Sequence, residues 1–188
     1  MNRPVDIGVV NMYTTVVESK YVANALRSMG YRPHTIDGYR ASREEILLHI
    51  KQSPIRDWIC SGSAYTVNES GSPQIPLELL SLKEKRFIMI CYSMESILFQ
   101  LGIKINKRNI CKKEIFRLTI PEGQALKNPM VVRRNHCWYF PARSVPGLIA
   151  QYDGEAMIAV YKNALLVQFH PEKTPDGKKL IALWIRTI

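Results

Sequence analysis

Short apolar runs alternate with amphipathic stretches through the first hundred residues. Residues 6–10, DIGVV, are rich in β-branched side chains and predict a buried strand. In SKYVANALRSMG, Val22, Ala25, Leu26 and Met29 recur at helical spacing, and Gly30 supplies a stop. PHTI predicts a second strand. SREEILLHIKQ then pairs Ser42 with Glu45 as a capping box ahead of Ile46, Leu47 and Ile50. DWIC and RFIMIC predict a third and a fourth strand, and YSMESILFQLG a helix directly after Cys91.

Beyond residue 110 the rhythm changes. EIFRLTI, MVVRRNH, GLIAQYD, AMIAVYK and ALLVQF are strand-like with few helices between them, and Lys178 to Arg186 predicts a terminal helix. Strands alternating with helices imply an α/β fold with an open, mostly parallel sheet flanked by helices. With no internal repeat or linker, the expectation is one domain over residues 1–188. Ligands of such sheets bind beyond the carboxyl ends of the strands. That directs the search for chemistry to SGSAYT, CYSME and HPEKTPDG, which leave three such ends.

Composition narrows the classes without choosing among them. The 188 residues are 46% hydrophobic and 22% charged, the balance of a globular protein with a sizeable core. No apolar run is long enough to span a bilayer, and MNRPVDIGVV lacks the core of an export signal, so a cytoplasmic protein is expected. Cys60, Cys91, Cys111 and Cys137 show no metal-finger spacing. Reduced thiols are expected, with neither a structural metal nor a cofactor. The net charge is +10, and Lys104, Lys107, Arg108, Lys112, Lys113 and Arg117 face only Glu114 within 104–117. Such a patch suits nucleic acid, a nucleotide or an acidic partner. Without a surrounding motif or interleaved aromatics beyond Phe116, a solvated basic surface is the favoured reading.

Cys91 raises the sharper question, because it stands where a strand turns into a helix. A core cysteine, a metal ligand and an activated nucleophile all fit that position. A sharp turn exposes the thiol, and the helix N-terminus favours its thiolate. His170 and Glu172 in QFHPE are two residues apart, so in an extended segment both point the same way. Nucleophile, base and orienter are then present in principle. A core cysteine beside a structural histidine is the commoner outcome of such spacing.

These segments also resemble a family. ICYSMESILFQLG resembles the nucleophile segment of class I glutamine amidotransferases, Gly-x-Cys-x-Gly-x-Gln, and VQFHPE resembles their His-Pro-Glu segment. DWICSGSAYTV is similar to their Ser-Gly-Gly-Pro loop, and RNHCW to an Asn-His-Gly-aromatic segment that holds glutamine in some members. The order matches, and the likeness covers nearly the whole chain. It implies a flavodoxin-like fold and hydrolysis of the glutamine side-chain amide, with ammonia passed to a synthase on a separate chain. The GMP synthetase type comes first among such partners, with anthranilate, aminodeoxychorismate and imidazole-glycerol-phosphate synthases left open. It also implies Cys91 as nucleophile, His170 as acid and base, and Glu172 as its support. The backbone N–H groups of Tyr92 and Ser63 would form the oxyanion hole, and Glu95, Asn135, Cys137 and Trp138 would hold substrate.

The chain departs from the pattern around this one pocket. Met89 and Ser93 replace the glycines flanking the nucleophile, Glu95 replaces the glutamine, Ser63 a loop glycine, and Cys137 the glycine after Asn-His. Crowding at the turn is expected from Met89, and a repelled substrate carboxylate from Glu95. A thiol hydrolase for another γ-glutamyl amide, or a catalytically impaired binding or regulatory protein, would carry the same departures.

Overall fold

The computed structural model describes residues 5–121 and 128–187. In chain order the elements are β1 (Asp6–Asn11), α1 (Tyr21–Ser28), β2 (Arg32–Asp37), α2 (Arg43–Gln52), β3 (Asp57–Cys60), β4 (Arg86–Ile90) and α3 (Tyr92–Gln100). Then follow β5 (Asn106–Leu118), β6 (Met130–Tyr139), β7 (Leu148–Tyr152), β8 (Glu155–Tyr161), β9 (Ala164–Val167) and α4 (Pro175–Arg186).

Seven strands form one sheet in the order β2-β1-β3-β4-β9-β8-β7. The first five in that order run parallel, and β8 and β7 continue the sheet antiparallel to an edge. Period-two alternation fills both faces. On β4, Ile88 and Ile90 join one core cluster, with Leu26 of α1 and Leu180 of α4. Phe87 and Met89 join the other, with Ile50 of α2 and Leu98 of α3. Full burial of each such side chain contributes roughly 1.5–3 kcal/mol, which is why β4 reads as an unbroken apolar run. The expected open, mostly parallel sheet flanked by helices is the observed one.

Local signals act where they were read. Ser42 Oγ accepts from Glu45 N at 3.1 Å while Glu45 Oε2 accepts from Ser42 N at 2.7 Å, completing the capping box of α2. Gly30, at φ 83°, follows the end of α1 in the left-handed region that glycine enters without strain. The last helix starts at Pro175, three residues before the expected Lys178. Thr174 caps it by accepting from Gly177 N at 3.1 Å, and a proline at the first helical position has no N–H to lose.

The second half of the chain divides in a way its pattern does not reveal. β7, β8 and β9 complete the main sheet, whereas β5 and β6 pair only with each other as a two-stranded antiparallel ribbon. β5 is 13 residues long, reaching well before the predicted EIFRLTI, and its register shifts between Lys107 and Lys112. That irregularity places Cys111 opposite Cys137, with Cα atoms 4.1 Å apart, and the two are joined as a disulfide. The expectation of four reduced thiols is therefore corrected. A separation of 26 residues gives no spacing signal, because ribbon register alone brings the two together. Thiol titration of the unfolded protein should find two groups, Cys60 and Cys91, before reduction and four after it.

Candidate active site

Three loops meet at the carboxyl ends of β3, β4 and β9. At the centre, Cys91 has φ 48° and ψ −106°, a conformation that costs an L-residue on the order of 1–3 kcal/mol. Its N–H donates to Val167 O at 2.7 Å, tying the turn to the neighbouring strand. Its carbonyl accepts from Glu95 N at 2.9 Å and opens α3. The expected strand-to-helix elbow is present. Ser93 fits it, because its hydroxyl is buried and donates to Ser61 O at 2.6 Å. Met89 is fully buried in the core cluster that also holds Tyr92 and Leu98 of α3, level with Cys60 and Leu166 on the adjacent strands.

His170 and Glu172 leave β9, whose Val167 pairs with Ile90 of β4. His170 Nδ1 lies 2.9 Å from Glu172 Oε1, and both side chains are buried. The backbone between them is not extended: Pro171–Lys173 is one 3-10 turn, and the turn brings the carboxylate back onto the ring. His170 N donates to Arg133 O at 2.8 Å, which links this loop to the β5–β6 ribbon. Among the described residues no hydrogen bond joins His170 to Cys91, and such bonds often tighten only with substrate bound. Gly62 explains its place in SGSAYT, since a Cβ there would lie 2.7 Å from Tyr13 Oη and 3.0 Å from His170 Cε1.

A pocket opens beside Cys91. Ser63, Tyr92, Glu95, Asn135, Cys137 and Trp138 all line it, so the structure gathers these predicted residues in one place. Ser63 needs no left-handed backbone, and its hydroxyl donates to Met12 O at 2.8 Å. Thr66 and His136, which the sequence reading passed over, line it too; Thr66 Oγ1 and His136 Nδ1 are buried without a hydrogen-bond partner among the described residues. Tyr13 and Gln168 were also missed. Gln168 stands in VQFHPE two residues before His170, but nothing in its type marks it for chemistry.

Electrostatics in the pocket are unusual. Burial pushes the Glu95 carboxyl up to about 7, against the lowering effect of a hydrogen bond from Gln168. Burial, and then the negative charges of Glu95 and Glu172, hold the Cys91 thiol well above its ordinary value, while the Tyr92 N–H and Lys173 pull it down. An acid whose pKa is raised on folding binds more protons folded than unfolded, so its contribution to stability falls as pH rises from about 4.5 towards 7. Glu95→Gln should therefore raise the melting temperature at pH 8 and change it little at pH 4, as thermal unfolding at the two pH values will show.

Behind the pocket, the inward face of β6 carries a buried ionic cluster. Glu155 is fully buried; it accepts from Arg134 Nη1 at 3.0 Å, lies 2.9 Å from His136 Nε2, and is also bonded by Arg108. The basic segment is less free than its sequence suggests. Lys107 lies 5.2 Å from the Trp138 ring centroid and Arg108 5.0 Å from that of Tyr139, so the opposing strand supplies aromatics that the segment itself lacks.

The chain is 30% identical over 146 residues to GMP synthase [glutamine-hydrolyzing] of Bartonella quintana, covering 69% of this chain and 27% of that protein. The Bartonella henselae protein of the same name is 27% identical over 186 residues, covering 90% of this chain and 34% of the relative. The chain thus spans about a third of the length of these relatives. A Thermoplasma acidophilum protein, provisionally assigned to GMP synthase as one of its subunits, superposes with a TM-score of 0.70 at 16% identity, covering 98% of this chain and 94% of that one. A glutamine amidotransferase from Thermotoga maritima superposes with a TM-score of 0.63 at 15% identity, over 98% and 84%. No described helix is long and apolar enough to cross a membrane. The profile of glutamine amidotransferase class-I matches residues 9–186, nearly the full chain, and the protein belongs to that family.

Proposed function

We propose that this protein hydrolyses the side-chain amide of glutamine and passes the ammonia to a synthase partner, with synthesis of GMP the first candidate. The observation that carries the reading is the strained Cys91 at the β4–α3 junction, with the hydrogen-bonded His170–Glu172 pair at the end of the adjacent strand. The relatives named GMP synthase support the choice of partner.

In this mechanism the Cys91 thiol gives its proton to His170 as the sulfur attacks the amide carbon, and the carbonyl electrons move onto oxygen. The N–H groups of Tyr92 and Ser63 receive that oxyanion. His170 protonates the amide nitrogen, the C–N bond breaks, and ammonia departs from a glutamyl thioester. His170 then takes a proton from water, hydroxide attacks the thioester, and glutamate leaves as His170 returns its proton to the Cys91 sulfur. Glu172 keeps the imidazole in the required tautomer and supports its charged form. Asn135, Cys137 and Trp138 hold the substrate along one wall, and Glu95 faces its ammonium end.

Glutamate release, measured with and without the synthase portion of a GMP synthase, tests the reading together with labelling of Cys91 by a glutamine-analogue electrophile. Labelling that glutamine blocks is expected. A second reading rests on the raised Cys91 thiol and the buried Glu95: an impaired binding protein, or a thiol hydrolase for a different γ-glutamyl amide. Labelling that glutamine does not block would favour the other amide, and no labelling the binding protein. Glu95→Gln removes a charge one helical turn from Cys91 at nearly constant volume, and about a tenfold gain in glutamine turnover at pH 8 is expected. Unchanged turnover would show that Glu95 does not restrain the nucleophile.

A further inference from the structure

Gln168 is fully buried immediately after β9, and its backbone N–H is spent on Met157 O at 3.0 Å. Its side chain reaches the start of α3. There Nε2 donates to Glu95 Oε1 at 2.8 Å and stands 3.9 Å from Cys91 Sγ, within reach of a bond to sulfur. A carboxamide nitrogen carries two hydrogens, so one group can serve both acceptors at once. The cost lies at its other end: Gln168 Oε1 is buried with no partner among the described residues. An amide present only to fill space would be expected to satisfy its carbonyl, since an orphaned buried acceptor costs about 1–3 kcal/mol. Here both donors instead meet groups that can become anions.

We propose that Gln168 is a further active-site residue, whose carboxamide holds the Cys91 thiolate and the Glu95 carboxylate side by side by donating one N–H to each. The inference rests on Cys91 being the nucleophile. Two negative charges this close oppose each other, and a shared donor lowers the free energy of both. The surrounding charges do not do this work. Glu172 adds to the repulsion, Lys173 eases it from the turn after β9, and the Tyr92 N–H meets only the sulfur. Tyr13 gives no relief, because burial and then the charges of Glu172 and Cys91 keep its hydroxyl protonated, while His136, on the far wall, is committed to Glu155. Among the described residues, Gln168 is the side chain that hydrogen-bonds both Cys91 and Glu95. With Glu95 titrating near neutrality, the need for this donor grows as pH rises.

The test is the pH profile of Cys91 alkylation by iodoacetamide, read at the Cys91 peptide by mass spectrometry. Gln168→Met keeps an unbranched side chain of similar length and loses both donors. The alkylation midpoint should rise by at least one pH unit, a tenfold loss of thiolate at fixed pH. In a Glu95→Gln background the rise should be less than half as large, because only one anion then needs the donor. An unchanged midpoint in Gln168→Met would overturn the proposal, as would an equal rise in both backgrounds. Wild-type protein supplies a check that no folding defect can obscure: the Gln168 side-chain amide resonances should shift with the titration of both Cys91 and Glu95. A flat response, or one that follows a single group, would also overturn it. Because the readout is alkylation, a normal midpoint shift in a protein that never hydrolyses glutamine would uphold Gln168 while the glutaminase reading failed.

Discussion

Cys91→Ala should lower glutamine hydrolysis by at least about a thousandfold, with the fold intact. Loss of a covalent nucleophile removes the thioester route altogether, and what remains is binding and the oxyanion donors acting on water. The size of the loss separates this role from a packing role, which would act through stability. Cys91 is buried beside the pocket, and alanine deletes one sulfur atom, so the packing cost is small against the catalytic one. His170→Ala should lose a similar amount, and the double variant little more, because nucleophile and base act as one unit. Additive losses would show that Cys91 and His170 do not cooperate. Glutamate release by purified variants with matched thermal unfolding settles both comparisons.

The largest stability effect should come from Glu155. This carboxylate is fully buried and faces Arg134, Arg108 and His136, with the Arg134 guanidinium lying 5.1 and 5.0 Å from the ring centroids of the packed pair Phe116 and Tyr152. Glu155→Gln leaves the Arg134 guanidinium buried with one carboxylate fewer, and removal of one partner from such a cluster costs about 3–5 kcal/mol. Urea unfolding will read this directly. Arg134→Met in the same chain should recover part of the loss, because the stranded charge is then gone. The pH dependence has a definite sign. Burial alone would raise the Glu155 carboxyl, but His136 and then Arg108 outweigh it, and the group lies below its usual 4.5. Its stabilisation is thus present above about 4.5 and is lost as pH falls through the lowered folded value. Glu155→Gln should flatten the acid side of the stability profile.

The parts of this protein that could be read in the sequence are those governed by local rules. Strands buried on both faces show as short β-branched runs, and Ser42 with Glu45 announces its helix by capping alone. The His170–Glu172 contact forms even though the backbone turns where an extended strand was expected, because the two side chains are only two residues apart. Register and long-range pairing were not legible. Nothing in 104–117 says that its strand leaves the main sheet, or that Cys111 faces Cys137. Gln168 and Tyr13 escaped for a related reason: a polar side chain gains a role from what it faces, and what they face comes from other strands. Met89 is a different case: strand alternation sends its side chain into the core shared with Tyr92 and Leu98, a placement that follows from the sheet and not from its neighbours in sequence.

The backbone at Cys91 also bears on the stability of this chain. Glycine would adopt φ 48° and ψ −106° with far less strain than any L-residue, so Cys91→Gly would relieve strain on the order of 1–3 kcal/mol, offset by a freer unfolded chain and an emptied buried site. If Cys91 is the nucleophile proposed above, the demand for its sulfur is met at a standing cost in stability. Cys91→Gly, compared with Cys91→Ala by thermal unfolding, measures the standing cost of that demand.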